Sequence, residues 1–165
     1  MDDNLHTLEH LYRETGPALL TYFRRQPAVA GLAEDLLQDT FVRALRRLDR
    51  LQAAVSPRAY LFGIAHHVSV DAHRRMRPNE ALAPVDEPAT ADPEDERLEP
   101  MRAAIAALPE RHREALLLKV QHELSYEEIA TVLGIPVGTV RSRLHHAVLR
   151  LRTALTTSES NPNPR

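Results

Sequence analysis

The sequence predicts an all-α protein: two small helical domains joined by an acidic, flexible linker. Three observations carry that expectation. Apolar residues recur at intervals of three and four in both halves, and no alternating stretch is long enough for a convincing strand. Aromatic residues make up only 4% of the chain against 43% hydrophobic, so a core must rest on Leu, Val, Ile and Ala, which suits packed helices. The charge is also unevenly divided. A net charge of −2 hides a basic block at 1–77 (11 Arg, 9 acids), an acidic strip at 78–100 (Arg97 against 8 acids) and a second basic block at 101–165 (9 cations, 6 acids).

The first domain, 1–77, reads as three main helices. Leu5, Leu8, Leu11, Tyr12, Leu19, Tyr22 and Phe23 follow helical spacing, with a kink expected at Gly16-Pro17. In AEDLLQDTFVRALRRL, Leu36, Leu37, Phe41, Ala44, Leu45 and Leu48 form one apolar face. Glu34, Asp35, Gln38 and Asp39 lie early on the other side, where carboxylates favour a helix N-terminus. Ser56-Pro57 is an N-cap followed by proline at the first helical position. The helix it opens, RAYLFGIAHHVSVDAHRRMR, becomes basic towards its end.

Residues 78–100 hold five prolines and little regularly spaced apolar material, so burial cannot offset the entropy of ordering them. The second domain, 101–155, opens with a short helix interrupted at Pro109 and a second helix over about 110–121. In SYEEIATVL, Ser125 and Glu128 form an S-x-x-E capping box. Gly134 closes that helix, Pro136 blocks its continuation, and a new helix starts near Val137 or Gly138. On this last helix Val137, Val140, Leu144, Val148, Leu151 and Leu155 make one buried stripe, while Thr139, Arg141, Ser142, His145 and His146 face outward. Two helices joined by a short glycine turn, the second outwardly basic, predict a helix-turn-helix. No acidic residue occurs from Ile129 through Ser158, so nothing there repels phosphate. Residues 156–165 read as a disordered tail.

Several classes are excluded or disfavoured. The absence of cysteine rules out disulfides and thiolate metal sites and fits a reducing compartment. MDDNLHTLEH lacks the basic start and apolar run of a signal peptide, and no stretch is apolar enough for a membrane span, so a cytoplasmic protein is expected. Nine histidines invite a metal, but His66-His67 and His145-His146 are adjacent pairs pointing about 100° apart, and neither belongs to an HExxH arrangement. No nucleophile motif or phosphate-binding glycine loop is present. An enzyme, a metal and a cofactor are therefore not expected.

LPERHREALLLKVQHELSYEEIATVLGIPVGTVRSRLHHAVLRLR, 108–152, resembles the −35-binding domain of bacterial sigma factors, and the extracytoplasmic-function (group 4) type matches best. AEDLLQDTFVRALRRL is similar to the family helix that docks on the RNA polymerase clamp, and SPRAYLFGIAHHVSVDAHRR to the segment that melts and reads the −10 element. The likeness runs in order from about Leu5 to Arg152, and the SPRAYLF wording is similar to the iron-starvation subgroup.

The resemblance implies a role for each motif. Asp35, Gln38, Asp39 and Arg43 would meet core polymerase. Tyr60, His66, His67, Arg74, Arg75 and Arg77 would serve the −10 element, with 48–56 and the following helix start holding a flipped base and Phe62 a second candidate for stacking. His66-His67 stands where the family usually has Arg-Asn, and Tyr60 replaces a common Trp. Lys119, Thr139, Arg141, Ser142, Arg143, His145 and His146 would serve the −35 element, with Lys119 near the backbone. The implied partners are core RNA polymerase through its clamp and flap surfaces, promoter DNA and an anti-sigma factor. The acidic linker would either thread polymerase channels or act as a spacer. The alternative is a stand-alone helix-turn-helix regulator binding an operator without polymerase, which gives no reason for the first domain.

Overall fold

α1 spans Asp2–Arg24, and only its second half finds a core. Leu19, Tyr22 and Phe23 are buried, whereas Leu5 is 67% exposed. The helical assignment continues through Pro17. The cost of a proline inside a helix, about 3 kcal/mol, is offset where the following turn buries a Leu, a Tyr and a Phe. The computed structural model describes residues 2–76 and 98–160 of the chain. Arg77, residues 78–97 of the expected linker and residues 161–165 lie outside the described residues.

The chain divides into two compact units, each with its own core. In the first, a 3-10 turn (Ala30–Leu32) leads into α2 (Ala33–Arg46), a short α3 (Leu48–Ala53) and α4 (Pro57–Met76). α2 buries Leu36, Leu37, Thr40, Phe41 and Ala44. Thr40 stays satisfied by donating to the Leu36 carbonyl at 2.7 Å. Leu45, expected on the same apolar face, is 50% exposed. The chain turns at Arg47, so Leu48 is buried from the next helix, together with Leu51. Ser56 accepts a hydrogen bond from the Ala59 amide at 3.1 Å, capping α4 as its sequence predicts. α4 buries Ala59, Leu61, Phe62, Ile64, Ala65, Val68 and Ala72 and is the central helix of this unit. Tyr12 of α1 meets Phe41 edge-on at 4.8 Å, and Tyr22 meets Phe62 at 5.7 Å.

The second unit holds α5 (Glu99–Ala106), α6 (Glu110–Val120), α7 (Tyr126–Leu133) and α8 (Val137–Glu159). α5 takes up Glu99 and Pro100, which the sequence assigns to the linker. Proline is tolerated in a first turn and an acid is favoured there. α8 runs four residues into the expected tail. The hydroxyls of Thr156, Thr157 and Ser158 donate to carbonyls four residues back and supply local hydrogen bonds where no core is available.

Candidate nucleic-acid and polymerase interfaces

The helix-turn-helix is built by local chemistry. The Ser125 hydroxyl accepts from the Glu128 amide at 3.1 Å, satisfying an orphan donor of α7. Gly134 takes φ 64°, ψ 38°, and the Ile135 amide returns to the Ala130 carbonyl at 3.1 Å. That left-handed step suits glycine best. Pro136 follows in extended backbone and α8 restarts at Val137.

α7 contributes Ile129, Ala130 and Val132 to the core, and α6 contributes Ala115, Leu116 and Leu118. From α8 the buried residues are Val140, Leu144 and Ala147. Val148 belongs to the expected stripe but is 42% exposed. Ala147 is buried instead, on a helix against which α6, α7 and α5 all pack. The opposite side presents Arg141, Ser142, His145 and His146 to solvent, with Thr139 and Arg143 half-buried at its edge.

Lys119 is partly engaged within the protein. Its Nζ donates to the Leu124 carbonyl at 3.3 Å and lies 5.0 Å from the Tyr126 ring centre. It ties the α6–α7 turn, in which Glu123 takes a positive φ of 56° and Leu124 is buried. Sequence spacing held no sign of this. A second unforeseen residue is His112 of α6, whose ring lies nearly parallel to that of His146, 5.9 Å away.

In the first unit Asp35 and Gln38 are exposed on α2. Asp39 and Arg43 are joined: Arg43 donates to Asp39 Oδ2 at 3.3 Å and to Asp71 Oδ2 on α4 at 3.0 Å. Burial works against the Arg43 charge, but Asp71 and Asp39 outweigh it and its pKa is raised. Arg43, Arg47, Ile64, His67 and Asp71 line a cleft of about 340 Å³. His66 is half-buried and His67 exposed, with ring centres 5.8 Å apart. Tyr60 is half-buried, whereas Phe62 is wholly inside the core and unavailable for stacking on a base. Arg74 and Arg75 are exposed at the end of α4. Among the described residues no three His, Asp or Glu side chains gather where a metal would sit.

Residues 11–78 match the family described as Sigma-70 region 2, and residues 98–151 match that described as Sigma-70, region 4. RNA polymerase sigma factor YlaC of Bacillus subtilis (strain 168) is 35% identical, covering 92% of this chain and 94% of that protein. The chain belongs to the sigma-70 family. ECF RNA polymerase sigma factor SigL of Mycobacterium tuberculosis is 34% identical over 88% of this chain and 86% of its own length.

Two solved structures share the fold. Sigma factor RpoE of Bartonella quintana, in complex with the anti-sigma factor NepR, is 25% identical with a TM-score of 0.75 over 90% of this chain and 96% of that one. CnrH in complex with the cytosolic domain of CnrY is 27% identical with a TM-score of 0.65 over 93% and 90%. This sigma-70 protein is thus an RNA polymerase sigma factor. A stand-alone operator-binding regulator is set aside, since region 2 accounts for the first unit as region 4 accounts for the second. No helix among the described residues is long and apolar enough to cross a membrane.

Proposed function

We propose that the two units divide promoter recognition, the first holding core polymerase and opening the −10 element and the second reading the −35 element. The observation that carries this reading is the exposed face of α8. Arg141, Ser142 and His145 stand near its N-terminal end, on a segment with no acid from Ile129 through Ser158. In a helix-turn-helix that end of the second helix enters the major groove. Arg141 has the fork to take guanine O6 and N7, and Ser142 pairs with several bases. Thr139 and Arg143 border this face, and Lys119 of α6 has one donor already used by Leu124.

In the first unit Asp35, Gln38 and Asp39 offer a polar face to the polymerase clamp, with Arg43 of α2 braced by Asp71 of α4. Opening a base pair costs stacking energy, which aromatic contact and edge hydrogen bonds offset. Of the two aromatic candidates only Tyr60 is partly exposed, Phe62 being fully buried. His66 and His67 would then read the strand, while Arg74 and Arg75 neutralise phosphates.

By analogy with the complex of RpoE and NepR, an anti-sigma factor is the regulatory partner, and the working compartment is the cytoplasm with the polymerase. Support for the iron-starvation subgroup is limited to the SPRAYLF wording at 56–62. The test is binding of labelled full-length protein to core RNA polymerase lacking sigma, followed by fluorescence anisotropy, then run-off transcription from promoters altered at −10 or −35. Saturable binding that a resident sigma displaces, with transcription sensitive to both elements, is expected. Failure to bind core, alongside tight operator binding by the protein alone, would overturn the reading.

A further inference from the structure

His112 has no part in the promoter reading described so far, yet it touches that machinery. It sits on α6, half-buried, with its Nδ1 buried and without a hydrogen-bond partner. Its ring lies 20° from parallel to His146 at a centre distance of 5.9 Å, the offset stacking that flat rings prefer. His145 meets His146 edge-on at 5.8 Å. His146 thus has a ring contact with each of them and remains exposed to solvent.

The charges around the stack explain why a neutral ring suits that place. Burial pushes the His112 pKa down, and Arg150, His146 and Arg143 push it further. Arg143, His146 and Arg150 are three and four residues apart, so they lie along one side of α8, the side that faces α6. A positive charge on His112 would be repelled by Arg143 and Arg150. A neutral imidazole instead gives His146 a flat surface.

We propose that His112 is a positioning residue for promoter recognition: its ring holds the His146 imidazole in one orientation and so sets which ring edge α8 offers to the −35 element. This inference rests on the reading of α8 as the −35 reader. An exposed histidine on a helix otherwise samples several rotamers. Its neutral ring has one donor and one acceptor, so its orientation decides which meets a base edge. A stacked pair of this kind favours the held orientation by about two- to tenfold. Without it, the ring turns to satisfy donor or acceptor edges alike. The consequence is relaxed base preference rather than lost affinity, because Arg141, Arg143 and Arg150 remain.

The experiment uses the full chain with core RNA polymerase on a promoter library randomised through the −35 element, read by sequencing of run-off transcripts. His146→Ala identifies the base pairs that His146 governs. His112→Ala is expected to flatten the preference at those same base pairs by about two- to tenfold, leaving the preferences set by Arg141 and the binding of core unchanged. His112→Phe keeps a flat ring and should keep the preference. Three results would overturn the proposal: no change in preference with His112→Ala, an equal loss on every promoter, or flattening by His112→Phe as great as by His112→Ala. If His146→Ala alters no preference, the proposal also fails. Wild-type transcription indifferent to −35 sequence would remove the underlying reading, and this inference with it, before any variant is made.

Discussion

Arg43 bridges two helices, and replacing it tests whether that bridge or a polymerase contact is its main role. In Arg43→Met the aliphatic stem is retained and the guanidinium is lost. The structure gives the guanidinium two carboxylate partners, at 3.0 Å on α4 and 3.3 Å on its own helix. Hydrogen bonds to charged groups contribute about 1.5–3 kcal/mol when sheltered. Here the side chains of Arg43 and Asp71 are 30% and 41% exposed, and solvent reduces the figure to about 1 kcal/mol. For a domain of this size that is a fall in Tm of about 4–8 °C. Asp71→Asn should cost less, since Asp39 still pairs with Arg43. A double-mutant cycle on Arg43 and Asp71, followed by circular dichroism on melting, should give a coupling of about 0.5–1 kcal/mol. A coupling indistinguishable from zero with unchanged melting would refute the strut. If core affinity fell in the same variant, Arg43 would be a surface contact instead.

Gly134→Ala should cost about 1 kcal/mol, because the residue sits at φ 64° while an added Cβ meets nothing within 4 Å. The penalty is backbone strain alone, and denaturant melting of the full chain measures it. Since the His112 pKa lies below its usual 6.5 in the folded protein, the unfolded chain binds more protons just below that pH. Stability should therefore hold above about pH 6.5 and fall as the pH drops through it; urea midpoints across pH 5–8 check this, and His112→Phe should remove the effect. Arg141→Ala should weaken −35-dependent transcription by about five- to a hundredfold with core binding unchanged. Loss of core binding in that variant would contradict the division of labour between the units.

Much of the fold was legible because its signals are local. The Ser56 and Ser125 caps, the Gly134 stop and the Pro136 break each act within four residues, and each occurs where the pattern places it. The stripes were less exact. Leu5 and Leu45 satisfy the period yet stand in solvent, and Ala147 replaces Val148 in the core. A period of 3.6 tells which way a residue points, but not whether anything waits on that side. α3 was missed for a related reason: six residues are too few to show a period, and Leu48 and Leu51 are helical because α4 covers them.

The sequence by itself determined the all-helical class, the helix-turn-helix, the basic and acid-free face of α8, and the likeness to sigma factors. These follow from caps, periods and motif wording, all of which are written along the chain. Only the tertiary structure decided how candidate residues are occupied. It joins Arg43 to Asp71 on another helix, commits Lys119 to the α6–α7 turn, withdraws Phe62 into the core and stacks His112 on His146. Three of those four relations join different helices or bury a ring among them. Local patterning specifies a residue's direction, whereas its partner depends on how the helices pack.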